Sequence, residues 1–194
     1  MIGKAMRRVA VAVFVAIGAA TVLAVGFVLR GGVSARPEPS TAEAILARRL
    51  RHWAIPRDER DRLNPLPATP QNVAEGRAHF ADHCALCHAN DGTGGTEIGR
   101  GLYPRAPDMR RPQTQSLSDG ELFAIIKNGV RLTGMPAWGS DDPASDEATW
   151  KLVQFIRHLP ALTAAELHEM QQLNPKSPSE AAEEREEREF LEGR

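Results

Sequence analysis

The sequence predicts an all-α fold, in which one transmembrane helix precedes a small helical domain. The first observation is a run of 21 residues without a charge, from Val9 to Leu29. The second is a helix-start pattern, a Ser or Thr followed three residues later by Glu, which begins at Ser118 and again at Thr163. The third is the recurrence of apolar residues at spacings of three and four within 73–84 and 150–159.

The composition is that of one ordinary domain with extensions and one very apolar end. The chain has 194 residues and a formal net charge of −1. Such a charge argues neither for nor against nucleic acid by itself, and no nucleic-acid partner is predicted. We predict four segments: an anchor (1–30), a Pro-rich linker with a short helix (31–71), a helical domain (72–160) and a helical and acidic tail (161–194).

The apolar run from Val9 to Leu29 has the length of a membrane-spanning helix. At about 1.5 Å per residue it covers roughly 30 Å, the thickness of the hydrocarbon core of a bilayer. Lys4, Arg7 and Arg8 precede it, which keeps the amino terminus in the cytoplasm. The alternative is a cleaved secretory signal with a cleavage site at residues 33–35, but the run exceeds the roughly 7–15 residues of a signal core. A retained anchor is therefore favoured, and both interpretations place the rest of the chain outside the cytoplasm.

The linker at 31–71 is divided by prolines, which exclude one long helix. A capping box at Ser40 and Glu43 predicts a short helix, on which Leu46, Leu50 and Trp53 recur at helical spacing. Pro-rich segments are stiff, so the linker is predicted to be a spacer that lifts the domain off the membrane. Its prolines are Pro37, Pro39, Pro56, Pro65, Pro67 and Pro70.

The next helix is predicted to begin at Thr69 and Pro70 and to run to about Cys84. Gly76, Phe80 and Cys84 fall on one face of it, so the face that packs in the domain also carries a thiol. The following stretch, 90–101, is rich in glycine and is not expected to hold regular structure. It lacks the Lys and Ser or Thr of a phosphate-binding loop, so a nucleotide site is not expected.

Cys84, Cys87 and His88 form a C-x-x-C-H motif, which has the spacing for covalent haem attachment. The two thiols can form thioethers with the haem vinyl groups, and the imidazole can ligate the iron from the proximal side. These are the only cysteines in the chain. The alternatives are a thioredoxin-like dithiol, which requires a βαβ context, and a metal site completed by scattered histidines. His79 and His83 are expected at the surface.

The helix that begins at Ser118 is the best marked in the chain. Ser118 and Glu121 form its capping box, Leu117 and Leu122 form a hydrophobic staple around it, and Gly129 ends it. The last helix of the domain, 150–159, is amphipathic and is followed by a proline. Another short helix is predicted from Thr163, and the Glu-rich tail beyond Ser177 is predicted to be solvated and partly helical.

From about Asn72 to Pro160 the sequence resembles the class I, single-haem cytochromes c, in a membrane-anchored bacterial type. The matching elements follow the order of the family. They are Gly76 and Phe80 of the first helix, the motif at 84–88, Ala106-Pro107-Asp108-Met109, Gly134-Met135-Pro136, and the closing helix from Trp150 to Leu159, whose Phe155 is expected to meet Gly76 and Phe80. The resemblance implies the cytochrome c fold, a small helical domain wrapped around one covalently attached haem c.

The resemblance also implies a set of site residues. Cys84 and Cys87 bind the haem covalently, His88 and Met135 ligate the iron, and the Pro107 carbonyl accepts the Nδ1 proton of His88. Two other methionines are rival candidates for the distal ligand. Met109 occupies a position at which the family loop has an apolar packing residue, and Met170 lies beyond the closing helix. Trp138 is expected either to cover the haem or to pack in the core.

The predicted function is that of an electron carrier in a respiratory or periplasmic redox chain, anchored in the inner membrane with its haem domain on the periplasmic side. Two filled axial positions leave no open site on the iron, which favours electron transfer over catalysis. An electron-transfer subunit of a larger oxidase or dehydrogenase is the alternative, ahead of a haem sensor or peroxidase-like enzyme. Redox proteins are the expected partners, and the arginines between Cys87 and Trp138 form either a solvated face or a rim that steers an acidic partner. They are Arg100, Arg105, Arg110, Arg111 and Arg131.

Overall fold

A computed structural model describes residues 2–30, 34–176 and 178–192, and in these ranges the backbone forms helices and turns without a strand. The all-α prediction is confirmed. The helices are α1 (Ile2–Arg30), α2 (Thr41–Ala54), α3 (Arg57–Arg60), α4 (Pro70–His79), α5 (Ala85–His88), α6 (Glu97–Gly101), α7 (Pro112–Gln115), α8 (Asp119–Asn128), α9 (Pro143–His158), α10 (Ala164–Leu173) and α11 (Pro178–Leu191). A π-helical turn (Phe80–Cys84) joins α4 to α5, and a 3₁₀ turn (Leu159–Ala161) follows α9.

Helix α1 belongs to a unit of its own, Met1–Pro37. Its stretch Gly3–Phe27 is long and apolar enough to cross a membrane, with a mean hydropathy of 2.5, and none of that window is buried in the protein. The helix therefore fits membrane anchoring. A secretory signal near the amino terminus would meet the same criteria.

The core of the second unit, Glu38–Arg194, forms where α4 crosses α9. A Cβ added at Gly76 would lie 2.1 Å from the carbonyl oxygen of Lys151, so glycine permits backbone contact between the two helices. Phe80 and Phe155 are fully buried, with ring centroids 5.1 Å apart. Phe155 thus meets Phe80 as expected, whereas Gly76 lies against the backbone of α9 at Lys151.

The predicted helix caps are present where the sequence marks them. Ser118 and Glu121 form a complete capping box at the start of α8, and Thr163 and Glu166 form another at the start of α10. Gly129 follows α8 with a φ of 66°, a conformation that favours glycine. At α2 the Ser40 side chain accepts the Glu43 backbone N–H, so the Ser40 half of the predicted capping box is present.

The first helix of the domain continues beyond its predicted end at Cys84. The backbone N–H of Ala85 bonds the carbonyl of Phe80, five residues earlier, and this widened turn leads directly into α5. A π turn inserts one residue without breaking the helix. Cys84, Cys87 and His88 consequently stand on one continuous stretch of helical backbone. The glycine-rich loop also differs from expectation, because Thr96 caps the short helix α6 within it.

The segment predicted as a spacer packs against the domain from Glu38 onward. Asn64 donates its side-chain amide to the carbonyl of Trp150 (3.0 Å), and Gln154 donates to the carbonyl of Leu66 (3.0 Å). A Cβ at Gly120 would lie 2.0 Å from the carbonyl oxygen of Glu59, so α8 and α3 touch through their backbones. Residues 38–71 belong to the same compact unit as the domain, whereas a free spacer would not belong to that unit. The exact boundaries of the four segments stay a prediction.

Candidate haem site

Cys84 and Cys87 are free thiols on consecutive turns of the helix, and both are partly exposed. Cys84 ends the π turn and Cys87 lies in α5. Burial, together with the neighbouring Cys87, raises the pKa of the Cys84 thiol to about 12, so this thiol is protonated at neutral pH. Neither sulfur of the pair is tied up in a disulfide.

His88 closes α5 with a buried ring, and its residue is only 8% exposed. Burial lowers the pKa of His88 to about 4, while the nearby Pro107 carbonyl acts in the opposite direction by raising it. The imidazole is neutral at pH 7, which is the form that ligates a metal. Its Nδ1 atom is buried and has no partner in hydrogen-bond geometry. The Pro107 carbonyl thus lies close enough to act on the ring without completing a regular hydrogen bond to it.

The loop after His88 folds back onto the motif through its backbone. Gly94 donates its N–H to the carbonyl of His88 (2.8 Å), and the Thr96 hydroxyl donates to the carbonyl of Cys87 (3.1 Å). A Cβ at Gly99 would lie 2.2 Å from that same Cys87 oxygen. The chain then continues to Ala106, whose N–H donates to the Gly99 carbonyl (3.0 Å). The glycines therefore allow the backbone of the loop to pack closely on the motif. This packing places Pro107 beside His88.

Met135 lies in a loop held against the end of α8. Its carbonyl accepts the N–H of Val130 (3.0 Å), and the N–H of Trp138 donates to the carbonyl of Ile126 (3.1 Å). A Cβ at the preceding glycine, residue 134, would lie 2.5 Å from the Leu102 side chain. The Met135 side chain is half-buried.

The other two methionines of the second unit, Glu38–Arg194, belong to its core. Met109 is 9% exposed and Met170 is fully buried, and both belong to the main hydrophobic cluster. Among these three, Met135 is the one outside that cluster. Its loop reaches the neighbourhood of the motif through Trp138, whose indole packs edge-on against the His83 ring at a centroid distance of 5.4 Å. Trp138 is exposed, so it is not part of the core.

The alternatives to haem attachment find no support in the described ranges. No group of three His, Cys, Asp or Glu side chains in these ranges is placed to hold a metal ion. A thioredoxin-like dithiol requires a strand before the motif, whereas here the motif follows a helix. His83 is exposed as expected, but His79 is half-buried with its ring 4.9 Å from that of His83. Burial lowers the pKa of His79.

Most of the arginines between Cys87 and Trp138 pair with carboxylates of this chain. Arg105 lies 2.7 Å from Glu38, Arg110 lies 2.9 Å from Asp108, and Arg111 lies 3.3 Å from Asp108. The hydrogen bond from the Arg110 side chain lowers the pKa of Asp108 to about 2, so this carboxylate stays charged. Pairing of this kind favours the solvated-face interpretation over a rim of uncompensated positive charge.

Residues beyond the resembling region also support the motif, and the sequence did not indicate them. Asn174, just after α10, donates its amide to the carbonyl of Ala81 in the π turn (3.3 Å) and accepts the amide of Asn90 (2.7 Å). Met170 of α10 is fully buried. The capping box predicted the existence of α10, but no local pattern shows where a helix docks.

Comparison with known proteins identifies a related family over part of the chain. The model of the family described as "Cytochrome C oxidase, cbb3-type, subunit III" matches residues 71–156. No protein in a search of curated sequences matches the chain. The matched range contains the C-x-x-C-H motif, the Pro107 and Met135 loops and the α4–α9 crossing, and cytochromes of this family imply haem c as the cofactor. The match supports a class I c-type cytochrome domain over residues 71–156, preceded by an apolar helix that fits membrane anchoring.

Proposed function

We propose that the protein is a membrane-anchored carrier of single electrons with one covalently attached haem c. Cys84 and Cys87 would hold the haem through thioethers, and His88 and Met135 would ligate its iron. The bound haem supplies a one-electron couple between ferrous and ferric iron. The observation that carries the proposal is the buried, neutral imidazole of His88 directly after two free thiols on one helix, within the matched range.

The protein's own groups prepare this site for binding. Burial keeps the His88 imidazole neutral at pH 7, so the ring does not have to lose a proton before it ligates iron. Its unpartnered Nδ1 and the adjacent Pro107 carbonyl fit a hydrogen bond that would fix the tautomer and leave Nε2 for the iron. The Phe80 ring packs at 6.4 Å from the His88 ring and belongs to the core, so it excludes water from that side.

A thioether as the sixth ligand determines what the site can do. It leaves no open position for oxygen or substrate, which favours transfer over catalysis, and it raises the reduction potential relative to a second histidine. Met135 is the methionine whose surroundings support this role, because Met109 and Met170 are packed in the core. Retention of α1 would tether the carrier to the inner membrane, with the haem domain on the periplasmic side as the positive flank predicts.

A second candidate is an electron-transfer subunit of an oxidase complex. The matched family is named for a subunit of a cbb3-type oxidase, and that name supports this role without identifying a partner of this chain. Purification of the anchored protein from its membrane under mild detergent distinguishes the two. A free carrier should elute alone, whereas a subunit should bring a catalytic chain with it.

Exchange of Met135 and Met109 by leucine tests the distal ligand, because leucine preserves volume at both positions while removing the sulfur. We expect Met135→Leu to lose the weak far-red band of the oxidised protein that an iron–sulfur bond produces. Met109→Leu, a change within the core, should keep it. Loss of the band in Met109→Leu alone would contradict the assignment of Met135.

Replacement of both thiols tests the covalent attachment. Cys84→Ala with Cys87→Ala should leave a polypeptide from which acid and organic solvent extract all haem, whereas in the unmodified protein the haem should remain with the chain. Haem that stays bound to the double variant after denaturation would contradict the thioether assignment.

A further inference from the structure

Helix α2 presents an apolar stripe on its outer side. Leu46, Leu50 and Trp53 are 59%, 52% and 70% exposed, respectively. At 3.6 residues per turn the three side chains fall within an arc of roughly 60°. Exposed apolar residues that share one helix face are more informative than scattered ones, because they mark a surface that another phase or molecule covers.

The opposite side of α2 is the side that packs on the domain. The Nδ1 atom of His52 lies 2.6 Å from the Glu121 carboxylate of α8. The Arg60 guanidinium bonds the Nε2 atom of His52 (2.7 Å) and the backbone carbonyl of His52 (3.0 Å). Ala44 and Arg51, on the same side, are half-buried. The docked orientation of α2 therefore turns the apolar stripe away from the protein core, where nothing in the described part of the chain covers it.

Two features of the stripe favour a lipid surface as its partner. Arg49 is exposed beside it and has no ion pair within the described residues, so it is available to phosphate groups. Its long stem can lie along apolar surface while the guanidinium group reaches the headgroups. Trp53 adds an indole, the side chain that prefers the boundary between headgroups and acyl chains.

The covalent chain keeps the stripe within reach of the bilayer. Only residues 31–40 separate the end of α1 from the start of α2, and ten residues extend to at most roughly 35 Å. We infer that α2 is a second membrane contact, an amphipathic helix that lies in the interface with Leu46, Leu50 and Trp53 toward the acyl chains and Arg49 toward anionic phospholipid headgroups. The contact holds the haem domain at the membrane surface. The inference rests on the proposed retention of α1 in the membrane.

Photochemical labelling of the full-length holoprotein in nanodiscs tests it. The discs contain phosphatidylcholine with a minor share of phosphatidylglycerol and a phospholipid that carries a diazirine near the top of its acyl chain. Lipid adducts are located by proteolysis and mass spectrometry. We expect adducts in α1 and in the peptide that covers 41–54. Adducts confined to α1 would overturn the inference and leave the anchor standing, and an absence of adducts in α1 would overturn the anchor and the inference together.

Variants separate a specific contact from random collision. Leu46→Glu with Leu50→Glu should lower the ratio of α2 to α1 adducts about tenfold or more, since both leucines would leave the acyl region. Leu132→Glu, a change at a leucine that is 94% exposed outside the stripe, should leave the ratio unchanged. An unchanged ratio in the double variant would overturn the inference.

The headgroup contact has its own test. Arg49→Gln should lower the ratio severalfold in discs that contain phosphatidylglycerol and have no effect in discs of phosphatidylcholine alone. Equal ratios for the unmodified protein in the two kinds of disc would overturn the assignment to anionic lipid.

Discussion

The crossing of α4 and α9 at Gly76 makes a sharp prediction about stability. In Gly76→Ala the new methyl group would lie 2.1 Å from the carbonyl oxygen of Lys151 and 2.6 Å from its carbonyl carbon. Non-bonded carbon atoms are comfortable at about 3.5–4.0 Å, so the two helices must separate by roughly 1 Å. The atoms in the way are backbone atoms, which no change of rotamer can remove.

The size of the effect follows from what lies beside the crossing. Phe80, Phe155 and Val153 are fully buried there, and their contacts loosen when the helices move apart. Overpacking costs about 1–3 kcal/mol, with a shift of backbone at the upper end. The greater helix propensity of alanine returns about 1 kcal/mol. We expect a net loss of about 2 kcal/mol, which lowers Tm by about 4–8 °C in a unit of this size.

Gly101→Ala provides the matched control. Gly101 is exposed at the end of α6, and a Cβ there would meet no atom within 4 Å. Its stability should change by no more than about 0.5 kcal/mol. Thermal unfolding of the full-length holoproteins in detergent, followed by circular dichroism, measures both. A Gly76→Ala protein with the same Tm as the Gly101→Ala control would refute the backbone contact between α4 and α9.

The other predictions concern α3 and the cap of α10. In Gly120→Ala the new methyl group would lie 2.0 Å from the Glu59 carbonyl, so α3 should separate from α8 and limited proteolysis within 57–64 should become faster, an effect that a free spacer would not show. Burial raises the pKa of Glu166, but hydrogen bonds from Thr163 and His158 outweigh burial and lower it to about 2. Because this pKa lies below its ordinary value of 4.5, the stabilisation by the carboxylate is complete above about pH 4.5 and is lost as the pH falls toward 2. The Tm of Glu166→Gln should therefore be lower than that of the unmodified protein at pH 7 and equal to it near pH 2. An equal difference in Tm at both pH values would contradict this role.

Local signals in the sequence were reliable because the groups that decide them are a few residues apart. The capping boxes at Ser118 and Thr163 and the glycine after α8 each depend on one turn of backbone, and all are present. The fold class and the cytochrome family were predictable for the same reason, since the motif at 84–88 is itself a local pattern. Its assignment to particular thioethers and axial ligands stays a prediction.

Long-range packing could not be read in the same way. The prolines of 31–71 correctly exclude one long helix, but composition does not reveal that Asn64 and Leu66 bond to α9. The short helix α6 was missed because its glycines suggested irregular backbone, whereas Gly99 serves the close approach to Cys87. For Asn64 and Leu66 the deciding partner lies more than 80 residues away, beyond the reach of periodicity and capping rules.

The π turn shows how such distant partners reach the site itself. A widened turn disturbs the regular pairing of helix carbonyls, and buried carbonyls need a donor. The Ala81 carbonyl receives the amide of Asn174, which lies outside the family match and is oriented in turn by Asn90. Fully buried Met170 holds α10 in place beside it. The geometry that presents Cys84 thus depends on a helix after the matched domain as well as on the motif, so the carboxyl-terminal extension is part of the structure that positions the first thiol.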